Sequence, residues 1–310
     1  MVRTTALAAA ALSLTLACHA GHAQPNMSAA PPFASAAGKP VVSAKDPKKP
    51  DFQLLSTTGK PLVAHGEAAD SKDWPATLLA SSVGCTATLV GPRAVLTAAH
   101  CVADGGAYTV FIRNIDNIMD CTHANEYSPD VGQWDRTSAD YAMCVLRTSV
   151  AGKGIKFENV GAGPLVKAGD TVRLLGYGCD GATTTSTGFG VLRTGLTAVE
   201  STPPATSANN YIVTDWSKGE FGHAKGAALC PGDSGGAVYW PAPLNDSVKV
   251  RRIVGVNSRT GVVETGGNVL NGKSFLSSLL TPTGLAFLNL WKGQGIEICG
   301  LTPGMTECRN

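Results

Sequence analysis

From Trp74 onward the apolar residues come in short β-rich runs bounded by Gly, Pro or Asp. Thr86-Ala87-Thr88-Leu89-Val90, Ala94-Val95-Leu96-Thr97 and Tyr108-Thr109-Val110-Phe111-Ile112 are three such runs, with the length and β-branched content of strands. Asp140 to Leu146 is a fourth, and the Ala151-Gly152-Lys153-Gly154 stretch after it is a loop. The second half repeats the texture in Thr171 to Tyr177, Tyr211 to Thr214, Ala237 to Trp240 and Arg251 to Val256. Many short strands without alternating helices predict an all-β sandwich or barrel. One helix is expected near the C-terminus. Thr281 is its N-cap, Pro282 stands at the first helical position, and Leu285, Leu288 and Trp291 follow at helical spacing.

The N-terminal pattern is different. Arg3 precedes an apolar run, Ala6 to Ala17, that is too short to cross a bilayer, and small residues follow it. Residues 1–23 therefore read as a secretory signal, cut after Ala20 or Ala23. Leu14-Thr15-Leu16-Ala17-Cys18 departs from the lipidation pattern, which places Leu where this chain has Thr15. Residues 24–62 are rich in Ala, Pro, Ser and Lys and cannot bury enough apolar surface to fold alone. They read as a propeptide or a linker.

Composition narrows the class. With 310 residues, 44% of them hydrophobic, the chain can build one large or two small domains. Its 36 glycines and 15% charged residues suit a turn-rich β protein. A net charge of +2 argues against nucleic acid as a partner. No stable membrane span is expected.

The chemistry gathers at Leu229-Cys230-Pro231-Gly232-Asp233-Ser234-Gly235-Gly236. Gly-Asp-Ser-Gly-Gly is an instance of G-x-S-x-G, where glycines permit a sharp turn that exposes a serine hydroxyl. A hydroxyl is a weak nucleophile without a base. Leu96-Thr97-Ala98-Ala99-His100-Cys101 offers one. α/β-hydrolases run Ser, acid, His, and no histidine follows Ser234, so that fold is excluded.

His100 after Thr-Ala-Ala and before Cys, far upstream of Gly-Asp-Ser-Gly-Gly, resembles the chymotrypsin/trypsin family of serine endopeptidases. The resemblance spans roughly residues 63–292. It implies two six-stranded antiparallel barrels with the site in the cleft between them and a C-terminal helix. It also implies a catalytic set of His100, Asp140 and Ser234, with the amides of Gly232 and Ser234 as the oxyanion hole. Asp140 is preferred to Asp116, Asp120, Asp130 and Asp135 because it heads a strand. His65, His123, His223 and the Thr183–Gly188 run read as surface or loop positions. Val63-Ala64-His65-Gly66 stands where the family has its mature N-terminus, which implies a zymogen whose freed ammonium meets Asp233. Only Val63 and Gly66 fit the usual Ile-Val-Gly-Gly.

The same resemblance pairs Cys85 with Cys101. It leads to Cys179 with Cys230, Cys121 with Cys144, and Cys299 with Cys308, in an extension (293–310) that the family does not usually carry. Such bridges stabilise by about 2–4 kcal/mol each. No C-x-x-C pair occurs, so neither a metal nor a cofactor is expected. Ser258, Arg259 and Thr260 match the segment that pairs with substrate backbone. Ala228 floors the specificity pocket, with Leu229 and Thr260 in its wall. These imply an apolar residue before the cut bond. The rival reading brings Lys273 to the pocket floor and favours an acidic one; otherwise Lys273 is a solvated lysine of an Asn271-Gly272-Lys273 turn. The expected protein is a secreted endopeptidase, periplasmic or extracellular, acting on peptide or protein substrates. The alternative is a protease-like binding module without activity. Oligomeric state is left open.

Overall fold

The computed structural model describes residues 66–309 except 81–82, 114, 131–132, 162–163, 180–188, 205–206, 216–225, 242–250 and 266–267. The readings made for residues 1–65, His223 and Thr183–Gly188 lie outside the described residues. Two sheets carry the structure, both within the unit 37–310.

After the two-residue strand β1 (Glu67–Ala68), the first barrel holds β2 (Thr77–Ala80), β3 (Cys85–Leu89), β4 (Ala94–Thr97), β5 (Ala107–Ile112), β6 (Ile115–His123) and β7 (Ala142–Leu146). Their order is β2-β3-β4-β7-β6-β5, every pair antiparallel. The four-residue helix α1 (Trp134–Thr137) precedes β7. A linker with the short strand β8 (Asn159–Val160) leads to β9 (Thr171–Gly176), β10 (Arg193–Ser201), β11 (Tyr211–Asp215), β12 (Ala237–Trp240), β13 (Arg252–Thr265) and β14 (Asn268–Ser278). These run β10-β11-β14-β13-β12-β9, and β9 pairs back to β10, which closes the second barrel. β1 extends β10, and β8 joins β13 in parallel. The architecture is two six-stranded antiparallel barrels.

Burial explains why some strands could be read and others could not. β3 and β4 are buried along their whole length, so their Leu, Val, Ala and Thr form unbroken β-rich runs. β6 hides its signal. Met119 and Cys121 face the core, but Asn117 also points inward while Ile118 is exposed. Lys273 lies within β14, not in a turn. Ser258 lies inside β13, with β14 beside it. Leu89, Leu96, Met119, Met143 and Leu146 fill the first barrel's core, and Leu174, Ile212, Val238 and Leu276 that of the second.

The last helix, α2 (Pro282–Gly293), starts at Thr281, whose hydroxyl accepts the Gly284 N–H. Its buried face is Gly284, Phe287, Leu288 and Trp291; Leu285 is only partly buried. Phe287 packs on Tyr141, ring centroids 4.9 Å apart, which lays the helix against the residue next to Asp140. The tail is bridged by Cys299–Cys308. Cys299 donates its amide to the Val90 carbonyl, and Phe157 donates its amide to that of Glu307.

Candidate active site

His100 lies in a single 3-10 turn, Ala99–Cys101, directly after β4. Fully buried Ala98 and Ala99 let this turn press into the barrel wall. The Cys85–Cys101 disulfide ties it to the start of β3. The imidazole remains accessible, with 35% of the side chain exposed.

Asp140 is fully buried. Its Oδ1 accepts the His100 backbone N–H at 2.9 Å. Its Oδ2 faces His100 Nδ1 at 2.6 Å and accepts the Ser258 hydroxyl at 2.5 Å. A carboxylate opposite Nδ1 places the imidazole proton there and leaves the Nε2 lone pair available. Burial is the largest influence on both groups and opposes charge on each. The paired charges and the hydrogen bonds outweigh it, so the His100 pKa is raised and that of Asp140 lowered. Asp116, Asp120, Asp130 and Asp135 are all exposed; Asp120 pairs with Arg147.

Ser258 reaches Asp140 because of an irregularity in the sheet. The β13–β14 register shifts between Asn257 and Arg259, and such a bulge re-aims the residue it leaves unpaired. Tyr211 supports the arrangement, donating its hydroxyl to the Thr137 carbonyl at 3.0 Å.

The 230–236 segment turns back on itself, and its carbonyls are held by named donors. Pro231 O accepts from Cys179 N at 3.0 Å and Gly232 O from Thr86 Oγ1 at 2.9 Å. Asp233 O accepts from Gly236 N at 3.0 Å and Asn257 Nδ2 at 3.1 Å, and Ser234 O from Thr86 N at 2.8 Å. Among the described residues, neither the Gly232 nor the Ser234 N–H has an acceptor. Gly232 holds φ at +99°, a conformation that favours glycine. A Cβ there would also fall 2.7 Å from the ring of Phe189. Ser234 Oγ donates to the Ser258 carbonyl at 3.4 Å. No hydrogen bond joins it to His100 among the described residues.

Beside this turn, Ala228 and Leu229 are buried, and the Leu229 amide donates to Ser274 Oγ at 2.9 Å. Thr260 is partly buried and donates its hydroxyl to the Lys273 carbonyl. Lys273 Nζ lies 2.7 Å from Glu200, so its charge is already partnered. Arg259 stands over the Tyr211 ring, 5.7 Å from its centroid, and its charge opposes the rise in the His100 pKa without cancelling it.

All eight described cysteines are paired: Cys85–Cys101, Cys121–Cys144, Cys179–Cys230 and Cys299–Cys308. Cys121 and Cys144 lie directly opposite each other on β6 and β7. Cys85, His100 and Cys101 cluster within 4.8 Å, but sulfurs in a disulfide are not thiolates, so this group is unsuited to a cation. The supporting roles of Thr86, Tyr211 and Asn257 have no signal in the sequence. Each depends on a partner tens of positions away.

A family model described as Trypsin matches residues 63–272. A comparison with curated protein sequences finds no match. Among solved structures, a mutant of human heparin binding protein (CAP37) superposes with a TM-score of 0.51 at 16% identity, covering 78% of this chain and 100% of its own.

Proposed function

The chain belongs to the trypsin family, and on that premise we propose that it is a secreted serine endopeptidase built on His100, Asp140 and Ser234. The observation that carries this reading is the Asp140–His100 pair, 2.6 Å apart, on the same chain as a serine flanked by two amides without acceptors.

In the reaction, Ser234 Oγ attacks the scissile carbonyl carbon as His100 Nε2 takes the hydroxyl proton. The tetrahedral oxyanion rests on the Gly232 and Ser234 amides. His100 then passes that proton to the amine as the C–N bond breaks, leaving an acyl ester on Ser234. Water repeats the sequence and releases the acid. Asp140 keeps the proton on Nδ1 and stabilises the imidazolium. Ser258 to Thr260 receive the substrate backbone as an added strand. Ala228, Leu229 and Thr260 accept an apolar side chain, and Lys273 is withdrawn from that role by Glu200.

Residues 1–23 act as the signal, 24–62 as a propeptide or linker, 63–292 as the peptidase domain and 293–310 as a stapled extension. Export to the periplasm or the medium agrees with the disulfides. One observation favours the rival binding-module reading: Ser234 Oγ is turned to the Ser258 carbonyl. Catalysis requires it to exchange that bond for one to His100. Reaction with a fluorophosphonate separates the two. An endopeptidase is labelled, and the label is lost in Ser234→Ala; a folded, processed chain that stays unlabelled is a binding module.

A further inference from the structure

This inference rests on the peptidase reading above. Two peptide planes decide whether the Gly232 and Ser234 amides face a substrate. A trans peptide sends its N–H and C=O in opposite directions, so holding the carbonyl aims the amide. The plane that carries the Gly232 N–H is held through the Pro231 carbonyl by the Cys179 amide at 3.0 Å. Cys179 is itself bonded to Cys230, one residue before Pro231. The next plane but one, carrying the Ser234 N–H, is held through the Asp233 carbonyl by Asn257 and Gly236.

The Asp233 side chain closes the same knot. It is buried, and accepts the Gly178 amide on Oδ1 at 2.8 Å and the Cys230 amide on Oδ2 at 2.9 Å. A Cβ on Gly178 would lie 2.5 Å from Oδ1, so only glycine admits this approach. On the far side of Gly178, its carbonyl accepts from Arg193 Nη1 at 3.1 Å. Arg193 is buried at the start of β10 and also binds the Val191 carbonyl. Burial pushes the Asp233 carboxyl up to about 7, against the Gly178 and Cys230 amides and, behind them, the charge of Arg193, all of which lower it.

A buried carboxylate needs a cation near it. The zymogen route implied by the resemblance would supply one only after a cut before Val63. A guanidinium is charged at any accessible pH and needs no cut. We infer that the oxyanion-binding turn is set by an internal clamp, made of the Cys179–Cys230 bridge and Arg193 around Asp233, so that the site is competent with residues 24–62 still attached. Arg193 and Cys179 are positioning residues and touch no substrate.

The test compares two purified forms, one with residues 24–62 attached and verified by intact mass, the other beginning at Val63 after cleavage at an engineered site. Both are titrated with a fluorophosphonate. The clamp predicts equal labelling rates at Ser234. Labelling only of the form that begins at Val63 overturns it. Labelling of neither overturns the peptidase reading, and this inference with it. In the long form, Arg193→Gln should lower kcat about 10- to 100-fold, part of what an oxyanion donor contributes, with KM little changed. Arg193→Lys should restore kcat, but lose it at alkaline pH as the ammonium deprotonates, where the parent chain stays active. A folded Arg193→Gln chain with full kcat overturns the role of the guanidinium. If that variant does not fold, the comparison of the two forms decides.

Discussion

Ser258 donates its hydroxyl to Asp140 Oδ2 at 2.5 Å, a hydrogen bond from the second barrel to the acid of the first across 118 positions of sequence. It makes the orientation of Asp140, and through it His100, depend on how the two barrels meet. Ser258→Ala removes a buried hydrogen bond to a charged group, which costs about 1.5–3 kcal/mol. A lower urea midpoint together with a reduced kcat/KM is expected. An unchanged kcat/KM in the alanine variant would show that Asp140 is held without Ser258.

The pH dependence follows from the same pair. The reaction needs neutral His100, whose pKa is raised above its ordinary value of 6.5. Peptide hydrolysis should therefore rise with pH through a midpoint above 6.5. Arg259 opposes the imidazolium, so Arg259→Gln should move that midpoint further up. A midpoint that falls in the variant contradicts the electrostatic assignment.

Stability has its own signature. The raised His100 pKa contributes stability that is full below 6.5 and lost as pH rises through the raised value. The lowered Asp140 pKa contributes stability that is present above 3.8 and lost as pH falls through the lowered value. Between 3.8 and 6.5 the pair contributes in full. Urea unfolding across pH should show the gap between the wild-type chain and His100→Ala widest in that window and shrinking above it.

Ser234→Ala and His100→Ala should each reduce kcat by several orders of magnitude, and Ser234→Ala should leave the thermal unfolding profile near that of the parent. Their double variant should be little worse than either single, because the groups act as a unit. Strictly additive losses would count against a shared proton-transfer step.

Specificity can be read from a peptide library by mass spectrometry. Cuts should follow small or medium apolar residues such as Ala, Val or Leu. Because Lys273 is paired with Glu200 at 2.7 Å, Lys273→Ala should leave the preference unchanged. Cuts after Glu or Asp that vanish in Lys273→Ala would return the lysine to the pocket.

Away from the cleft, Glu158 is fully buried and binds Arg251 through both oxygens, at 2.6 and 3.0 Å, with Arg309 of the tail 3.9 Å away. Arg251 also lies 3.4 Å from the Trp74 ring centroid. Arg251→Met strands the carboxylate and should cost about 3 kcal/mol. Calorimetry should find a lower Tm, with kcat/KM per active site unchanged.

The features legible in the chain before folding are short in range. β-branched runs marked the strands that are buried along their length, and a Thr-Pro start marked the last helix. Gly-Asp-Ser-Gly-Gly and Thr-Ala-Ala-His-Cys led to the family, because turn chemistry and flanking residues are written within a few positions. Tertiary structure decided the rest. β6 escaped notice because Asn117 faces in and Ile118 faces out, so its pattern contradicts its burial. Lys273 is quiet because β10 carries Glu200 beside it. A bulge no motif marks turns Ser258 towards Asp140. The amide that holds the Pro231 carbonyl comes from Cys179, across a disulfide. Each of these links joins residues far apart in the chain, and their meeting depends on the closure and docking of two barrels, which no local run of residues encodes.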